Sequence, residues 1–290
     1  MSKKFEIHSA NLRGILYMLL GTLFLTAMTA IARHLSDQLH PFEIAFFRCL
    51  MGLFMLLPIL FREGIGSMRT ENIGGMALRS VFHTGGMLMF FMALTLMPLA
   101  ELSSLTFTSP LFITILAVFI FGEKLGPRRI ASLVIGFFGA LIILRPGSGL
   151  FGIGAVYALA SVISWAGAVI VIKHLSRTNS TVTITIYGLF FLTIFTLLPA
   201  LFVWRWPTQE EFMWLAVLAV VGTIGQLLFT QAMKSADVSL VMPFDFSKLI
   251  WASLFGFFFF AEIPSYWTYL GGGIIFVSAT YVAYRERQSI

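Results

Sequence analysis

Ten apolar stretches of about 20 residues dominate this 290-residue chain and limit what it can fold into. An α-helix rises about 1.5 Å per residue, so about 20 apolar residues cross the hydrocarbon core of a bilayer. The segments between the stretches are short, and no segment is long enough to form a soluble domain. The pattern predicts ten transmembrane helices, numbered here as spans 1 to 10, at residues 12–33, 41–61, 73–96, 100–121, 127–145, 152–173, 181–203, 211–233, 238–261 and 265–284.

The composition agrees with a membrane protein and argues against several other classes. Hydrophobic residues make up 58% of the chain and charged residues 11%, whereas soluble domains are about 25% charged. The net charge is +6, and in a membrane protein such a charge is typical of basic cytoplasmic loops. We therefore expect the chain to interact with a lipid bilayer and not with nucleic acid. Because Cys49 is the single cysteine, no intrachain disulfide or cysteine-based metal site can form, and we expect no metal and no cofactor.

Lys and Arg residues are distributed unevenly between the loops on the two sides of the predicted spans. With the N-terminus inside, 13 of them lie on the cytoplasmic side and 3 on the opposite side. Cytoplasmic loops carry an excess of Lys and Arg, and an even number of spans returns the C-terminus to the same side. We therefore predict a multi-pass protein of the cytoplasmic (inner) membrane with both termini in the cytoplasm.

The two halves of the chain are similar in sequence. The segment "ARHLS" at Ala32 recurs as "IKHLS" at Ile172, 140 residues later, and Glu123 near the end of span 4 corresponds to Glu262, 139 residues later. A unit of five spans crosses the membrane an odd number of times, so a second copy that follows it is inserted in the opposite orientation. We expect an all-α membrane fold of two inverted five-helix repeats, an architecture typical of secondary transporters, at residues 1–147 and 148–290.

Two segments resemble a known family. The stretch "SPLFITILAVFIFGEKLGPRRIASLVIGFFGALIILRPG" (109–147) is similar to the EamA branch of the drug/metabolite transporter superfamily, in which a proline in the fourth helix precedes a Gly-Glu and a Gly-rich fifth helix follows. The stretch "PFDFSKLIWASLFGFFFFAEIP" (243–264) resembles the subgroup that contains S-adenosylmethionine and riboflavin transporters, although Lys248 departs from it. The resemblance implies a ten-helix bundle, cytoplasmic termini and a central substrate cavity.

The most informative polar residues are Asp245 and Lys248, which lie inside apolar span 9. A charge at the centre of a bilayer costs about 3 kcal/mol or more, so both side chains must face the protein interior. Their i, i+3 spacing allows them to pair with each other, and Pro243 removes a backbone hydrogen bond just before them. Either the pair only fixes helix packing or it contacts a substrate, with Trp251 extending the same helix face.

Other polar residues within the spans divide into candidate pocket residues and structural residues. Arg79 and His83 share a face of span 3: the arginine can extend to the interface, and the histidine is either a packing residue or a proton relay. Arg48 in span 2 is best explained by a structural ion pair with a neighbouring helix. The remaining candidates for contact with substrate, chosen for buried donors or hydroxyls, are Trp165, Gln226, Thr26, Ser104 and Thr108.

Four residues near helix ends or breaks are predicted to have structural roles. Glu123 and Glu262 close spans 4 and 9, where a carboxylate is unfavourable for the helix dipole. Their presence indicates a structural contact, such as a cap on the N-terminus of a neighbouring helix. Pro110 is expected to interrupt span 4 in the way that Pro243 interrupts span 9.

The residue pattern favours transport over catalysis. The five histidines are scattered, and the chain has neither a metalloprotease-type HExxH motif nor a nucleotide-binding motif, so we expect neither an enzyme nor a directly ATP-driven pump. We predict a secondary transporter or facilitator for a small zwitterionic or aromatic-heterocyclic metabolite, such as an amino acid, S-adenosylmethionine or riboflavin. Protons are the candidate coupling ion, through Asp245 or His83. The alternatives are a lipid or lipid-linked-sugar translocase and a membrane interaction protein that does not transport.

Overall fold

The computed structural model describes residues 2–63, 70, 72–121, 127–144, 152–175, 178–179, 181–235, 244–245 and 247–287. The regular secondary structure of these residues is α-helical throughout. Eleven helices are described: α1 (Ser2–Leu35), α2 (Pro41–Glu63), α3 (Ile73–Leu96), α4 (Leu99–Thr106), α5 (Ser109–Phe121), α6 (Pro127–Leu144), α7 (Ile153–Leu175), α8 (Thr181–Leu201), α9 (Gln209–Ser235), α10 (Ser247–Phe260) and α11 (Tyr266–Arg287).

The helices follow the predicted spans closely, with one division. Span 4 consists of two helices, α4 and α5, joined by a turn at Phe107 and Thr108. Pro110 lies in the first turn of α5, where its missing N–H removes a hydrogen bond that would have continued α4. In span 9, α10 begins at Ser247, and Pro243 lies outside the described residues.

Four described helical stretches are long and apolar enough to cross a membrane on their own. They are Leu12–Leu35, Ile73–Leu96, Ile153–Ile172 and Gln209–Phe229. The other apolar stretches found among the described residues, such as Ser247–Phe260, have 10 to 17 residues.

The packing partners of the helices repeat between the two halves. In the repeat, α7 is the counterpart of α1, and α9 is the counterpart of α3. Helix α1 packs most extensively on α9, and α7 packs equally closely on α3. The pairs α2 with α8 and α6 with α11 each join a helix to its own counterpart. This exchange pattern is the one expected when a two-fold axis relates two five-helix repeats. The predicted boundary between residues 147 and 148 lies outside the described residues.

The described apolar core is continuous at one end of the bundle. We define the sealed end as the end at which α1 meets α2 (Leu35–Pro41), and the divided end as the opposite one, towards which both chain termini run. Toward the sealed end, one continuous cluster of buried apolar residues joins ten of the helices, α5 being the exception among those described. Toward the divided end, the described buried residues form two separate clusters, one around Met18 and Ala232 and the other around Met76, Leu175 and Ile184.

Candidate functional site

Asp245 and Lys248 form an ion pair at the start of α10. The Lys248 Nζ lies 2.5 Å from the Asp245 Oδ1, and the two side chains are 26% and 15% exposed, respectively. The same ammonium lies 5.4 Å from the centre of the Phe229 ring on α9, a cation–π distance. The charges of this pair therefore largely neutralise each other inside the bundle, toward the divided end.

The first turns of α10 also connect it to α1. The hydroxyls of Ser247 and Thr22 are 2.7 Å apart and form a buried hydrogen bond between the two helices. One turn after Ser247, the indole Nε1 of Trp251 is buried and donates to no acceptor. A buried indole N–H usually has a partner, so Trp251 presents a donor that an incoming ligand can use.

A second polar cluster lies on one face of α3. Arg79, His83 and Met87 are four residues apart, so they follow one another along the same face at intervals of about 6 Å. Arg48 reaches this face from α2: its Nε donates to the sulfur of Met28 at 3.1 Å, and its Nη1 donates to the sulfur of Met87 at 3.2 Å. No carboxylate among the described residues pairs with Arg48, so the expected ion pair with a neighbouring helix is not observed there.

Arg79 packs against α8 through a glycine. A Cβ on Gly188 would lie on top of the Nη1 of Arg79, so the absence of a side chain at this position leaves room for the guanidinium. The Arg79 Nε is buried and has no hydrogen-bond partner. Arg79 therefore lies in the interface between α3 and α8, and its Nε is shielded from solvent.

His83 contacts Trp165 of α7. The two rings are 4.7 Å apart in an edge-to-face arrangement, with an interplanar angle of 72°. Trp165 is 40% exposed, and Val156 and Ile163, on another face of α7, are exposed as well. Because each residue turns an α-helix by about 100°, Trp165 lies about 200° around the helix from Ile163. The open surface of Trp165 therefore faces away from the lipid-facing side of α7.

The predicted hydroxyl residues are satisfied locally. Thr26, Ser104 and Thr108 are buried, and their hydroxyls donate to the carbonyl oxygens of Thr22, Ala100 and Leu105, one turn earlier, at 2.7–2.8 Å. Each oxygen keeps its acceptor capacity. Gln226, which was expected to be buried, instead lies on an exposed part of α9.

Glu262 holds together three elements at the sealed end. Its Oε1 lies 2.6 Å from the Nη2 of Arg33 on α1, and its Oε2 accepts the N–H of Leu99, the first residue of α4, at 2.9 Å. Arg33 also donates to the carbonyl oxygen of Met97 at 2.8 Å. Glu262 is thus a cap on the N-terminus of α4 as well as an ion-pair partner. Its repeat counterpart, Glu123, lies outside the described residues.

A second set of contacts closes the sealed end between α2 and α9. The side chain of Arg205 lies 2.5 Å from Glu211 and donates to the carbonyl oxygen of Gln38 at 2.9 Å, while its backbone N–H donates to Glu43 at 2.7 Å. Thr208 and Glu211 form a reciprocal capping box at the start of α9.

Sequence reasoning did not single out several of these contacts. Met28 and Met87 are ordinary apolar residues in a helical pattern, and only the folded structure shows that both sulfurs contact Arg48. Arg33 was detectable in principle, because the repeat aligns "ARHLS" with "IKHLS" and so places a cation at the end of the first helix of each half.

The fold is that of a helical membrane protein built from two inverted repeats. The chain belongs to the EamA-like transporter family, which matches residues 12–145 and, a second time, residues 152–284. The protein is therefore a transporter of the drug/metabolite class and not an enzyme.

Similar proteins carry small metabolites according to their names. The chain is 28% identical over 282 residues to an S-adenosylmethionine uptake transporter of Rickettsia felis, covering 96% of this chain and 95% of the relative. It is 31% identical over 281 residues to a riboflavin transporter of Vibrio cholerae, covering 95% and 94%. It is 28% identical over 271 residues to a pseudopaline exporter of Pseudomonas aeruginosa, covering 91% and 94%. One crystal structure shares the fold, with a TM-score of 0.62 and 23% identity over 97% of this chain and 98% of the other.

Proposed function

We propose that this protein is a secondary transporter or facilitator that moves a small zwitterionic or aromatic-heterocyclic metabolite across the cytoplasmic membrane by alternating access. Residues 1–147 and 148–290 act as the two repeats, both termini lie in the cytoplasm, and the divided end faces the cytoplasm. The coarse part of this proposal, metabolite transport, is supported by the family and by the names of relatives.

The observation that carries the proposal is a repeated scaffold with one closely packed end. The helix pairing is the same in both halves, and the described residues of the sealed end form a continuous apolar core that the contacts of Glu262 and Arg205 reinforce. Two repeats with equivalent contacts can exchange their arrangements, which opens one end as the other closes.

The substrate site of this proposal lies between the sealed core and the divided end. Trp165 and Trp251 contact the apolar body of the substrate, while Asp245 attracts an amine and Lys248 a carboxylate. His83, Gln226, Thr26, Ser104 and Thr108 supply further polar contacts. Asp245 or His83 carries the proton if transport is coupled to one.

Reconstitution tests this function directly. Purified protein in liposomes should give saturable uptake of at least one of radiolabelled S-adenosylmethionine, riboflavin or a mixture of amino acids, above the rate of protein-free liposomes. Fluorescent-lipid scrambling without solute uptake would instead indicate a lipid translocase. Movement of neither solute nor lipid by folded protein would contradict transport and indicate an interaction protein.

A further inference from the structure

Arg48 and Arg79 have no acidic partner among the described residues. Lys248 pairs with Asp245, and Arg33 pairs with Glu262. In contrast, no carboxylate among the described residues pairs with Arg48 or Arg79. The charges of Arg48 and Arg79 are therefore not neutralised by an ion pair within the described residues.

The immediate surroundings of these two arginines compensate the charge poorly. Arg48 donates to two thioether sulfurs, which are weak acceptors, and the Nε of Arg79 has no acceptor. A cation at membrane depth is costly unless it is paired or hydrated. A guanidinium has five N–H donors in a planar fork that matches carboxylate or phosphate oxygens. Both arginines are thus suited to bind an oxyanion supplied by a ligand.

His83 lies close to both Arg48 and Arg79. It lies one helical turn from Arg79 and one turn from Met87, which Arg48 contacts. An anionic group beside His83 is therefore attracted by both cations.

The same place offers an aromatic surface. Trp165 contacts His83 edge to face and keeps an open surface that points away from the lipid-facing side of α7. An aromatic or heterocyclic ring can stack on this indole.

We propose that the transported substrate carries a carboxylate or phosphate group, which lies beside Arg48 and Arg79, and an aromatic or heterocyclic ring, which lies against Trp165. The inference rests on the proposed transport function and names its substrate class. Asp245 balances the charge of Lys248 whether or not this pair contacts substrate, so the preference for an anionic group arises from the two arginines on α2 and α3.

Binding can be measured apart from transport by using the single cysteine. Cys49 is buried, so a thiol-reactive fluorescent dye reports unfolding of the detergent-solubilised protein. The probes are three indoles that differ in charge: indole-3-acetate (anion), indole-3-acetamide (neutral) and tryptamine (cation). Comparing phenyl phosphate with indole-3-acetate distinguishes a phosphate site from a carboxylate site. Comparing phenyl phosphate with inorganic phosphate shows whether the ring contributes to binding.

Indole-3-acetate or phenyl phosphate should raise the melting temperature at a concentration at least about tenfold lower than the amide or the amine, since one charge-assisted contact is worth about this factor. Arg48→Gln and Arg79→Gln should each weaken binding of the anion about tenfold. Arg13→Gln, which removes an exposed arginine of α1, should not change the preference. Circular dichroism and size-exclusion chromatography confirm that each variant is folded.

Three results would overturn the proposal: equal stabilisation by acid and amide, preference for tryptamine, or an unchanged anion preference in both Gln variants. Inorganic phosphate acting as strongly as the ring-bearing anions would overturn the aromatic part. Flux of labelled indole-3-acetate into proteoliposomes separates this inference from the function. If the acid binds but no solute crosses, transport fails and the site stands. If amide and acid cross equally well, transport stands and the anion site fails.

Discussion

The pair of Asp245 and Lys248 has two interpretations that differ in a measurable way. Lys248→Met keeps most of the side-chain volume but leaves Asp245 as an unpaired charge within the bundle. Leaving one partner of a buried pair costs about 3–5 kcal/mol, and less here because both side chains are partly exposed. We expect Lys248→Met to lower the melting temperature and to abolish uptake. Adding Asp245→Asn removes the stranded charge and should restore stability.

Uptake by the double variant then separates the two interpretations. If the pair contacts substrate, Asp245→Asn with Lys248→Met is stable but inactive in proteoliposomes, and this is the outcome we expect. Full uptake by the double variant would contradict a substrate role and leave a structural ion pair. Lys248→Arg is the matched control, because it keeps the charge opposite Asp245 and should retain stability.

At the residue scale, local spacing was readable from the sequence but tertiary partners were not. The i, i+3 spacing of Asp245 and Lys248 indicated that they could pair, because helix geometry alone determines that contact. The surroundings of Arg48 depend on how α1 and α3 pack beside α2, and a linear sequence holds no direct signal for that arrangement. The ion pair expected for Arg48 is not observed among the described residues, where its donors contact two sulfurs.

At the scale of elements, the close packing of α6 on α11 depends on a reciprocal pair of glycines. A Cβ on Gly271 would lie 2.5 Å from the carbonyl oxygen of Gly139, and a Cβ on Gly139 would lie 2.8 Å from that of Gly271. Small residues of this kind allow transmembrane helices to approach closely. The backbone of one helix cannot give way without moving the other, so these positions control how the last helices of the two repeats meet.

Gly271→Ala should therefore destabilise the protein, whereas Gly273→Ala should not. Overpacking costs about 1–3 kcal/mol, and the clash at Gly271 is with backbone atoms. A Cβ on Gly273, on the same helix, meets nothing within 4 Å, so alanine there gains up to about 1 kcal/mol of helix propensity. Melting temperatures in detergent give the comparison, and equal values for the two variants would show that the interface is not tightly packed.

The helices themselves were largely predictable, because apolar length and punctuation determine them in a bilayer. The structure places the described helices at the ten predicted spans within a few residues at most ends. The turn at Phe107 and Thr108 was the main local feature that the spans did not resolve. The sequence indicated only that Pro110 disturbs span 4, not that α4 would become a separate helix whose first N–H is bound by Glu262.

At the scale of the whole molecule, the repeat relates the two ends. It aligns Arg33 with Lys173 and Glu262 with Glu123, so the sequence supplies a cation and a carboxylate at both ends. The number of spans and their two-fold relation followed from this similarity and from the loop charges. Which end holds the continuous described core could not be inferred from sequence, because it depends on the packing of two nearly equivalent halves.

The contrast between the ends predicts where thiol reagents can reach. On a Cys49→Ser background, Ala100→Cys places a thiol in the buried core of the sealed end, and Phe244→Cys places one beside the divided end. A membrane-impermeant thiol reagent should label Phe244→Cys in inside-out vesicles and leave Ala100→Cys unlabelled in right-side-out vesicles. Ile263→Cys, in the exposed segment after α10, is the positive control for the sealed end.

Glu262→Gln should expose Ala100→Cys to that reagent. The substitution removes the ion pair with Arg33 and weakens the cap on Leu99, so the sealed end opens more often. If these contacts favour closure by about 1.4 kcal/mol, labelling rises about tenfold. Glu210→Gln, at an exposed glutamate of the same end, should leave the rate unchanged. Labelling of Ala100→Cys as fast as Ile263→Cys before any second substitution would show that this end is not closed, and the alternating-access scheme would fail at its first step.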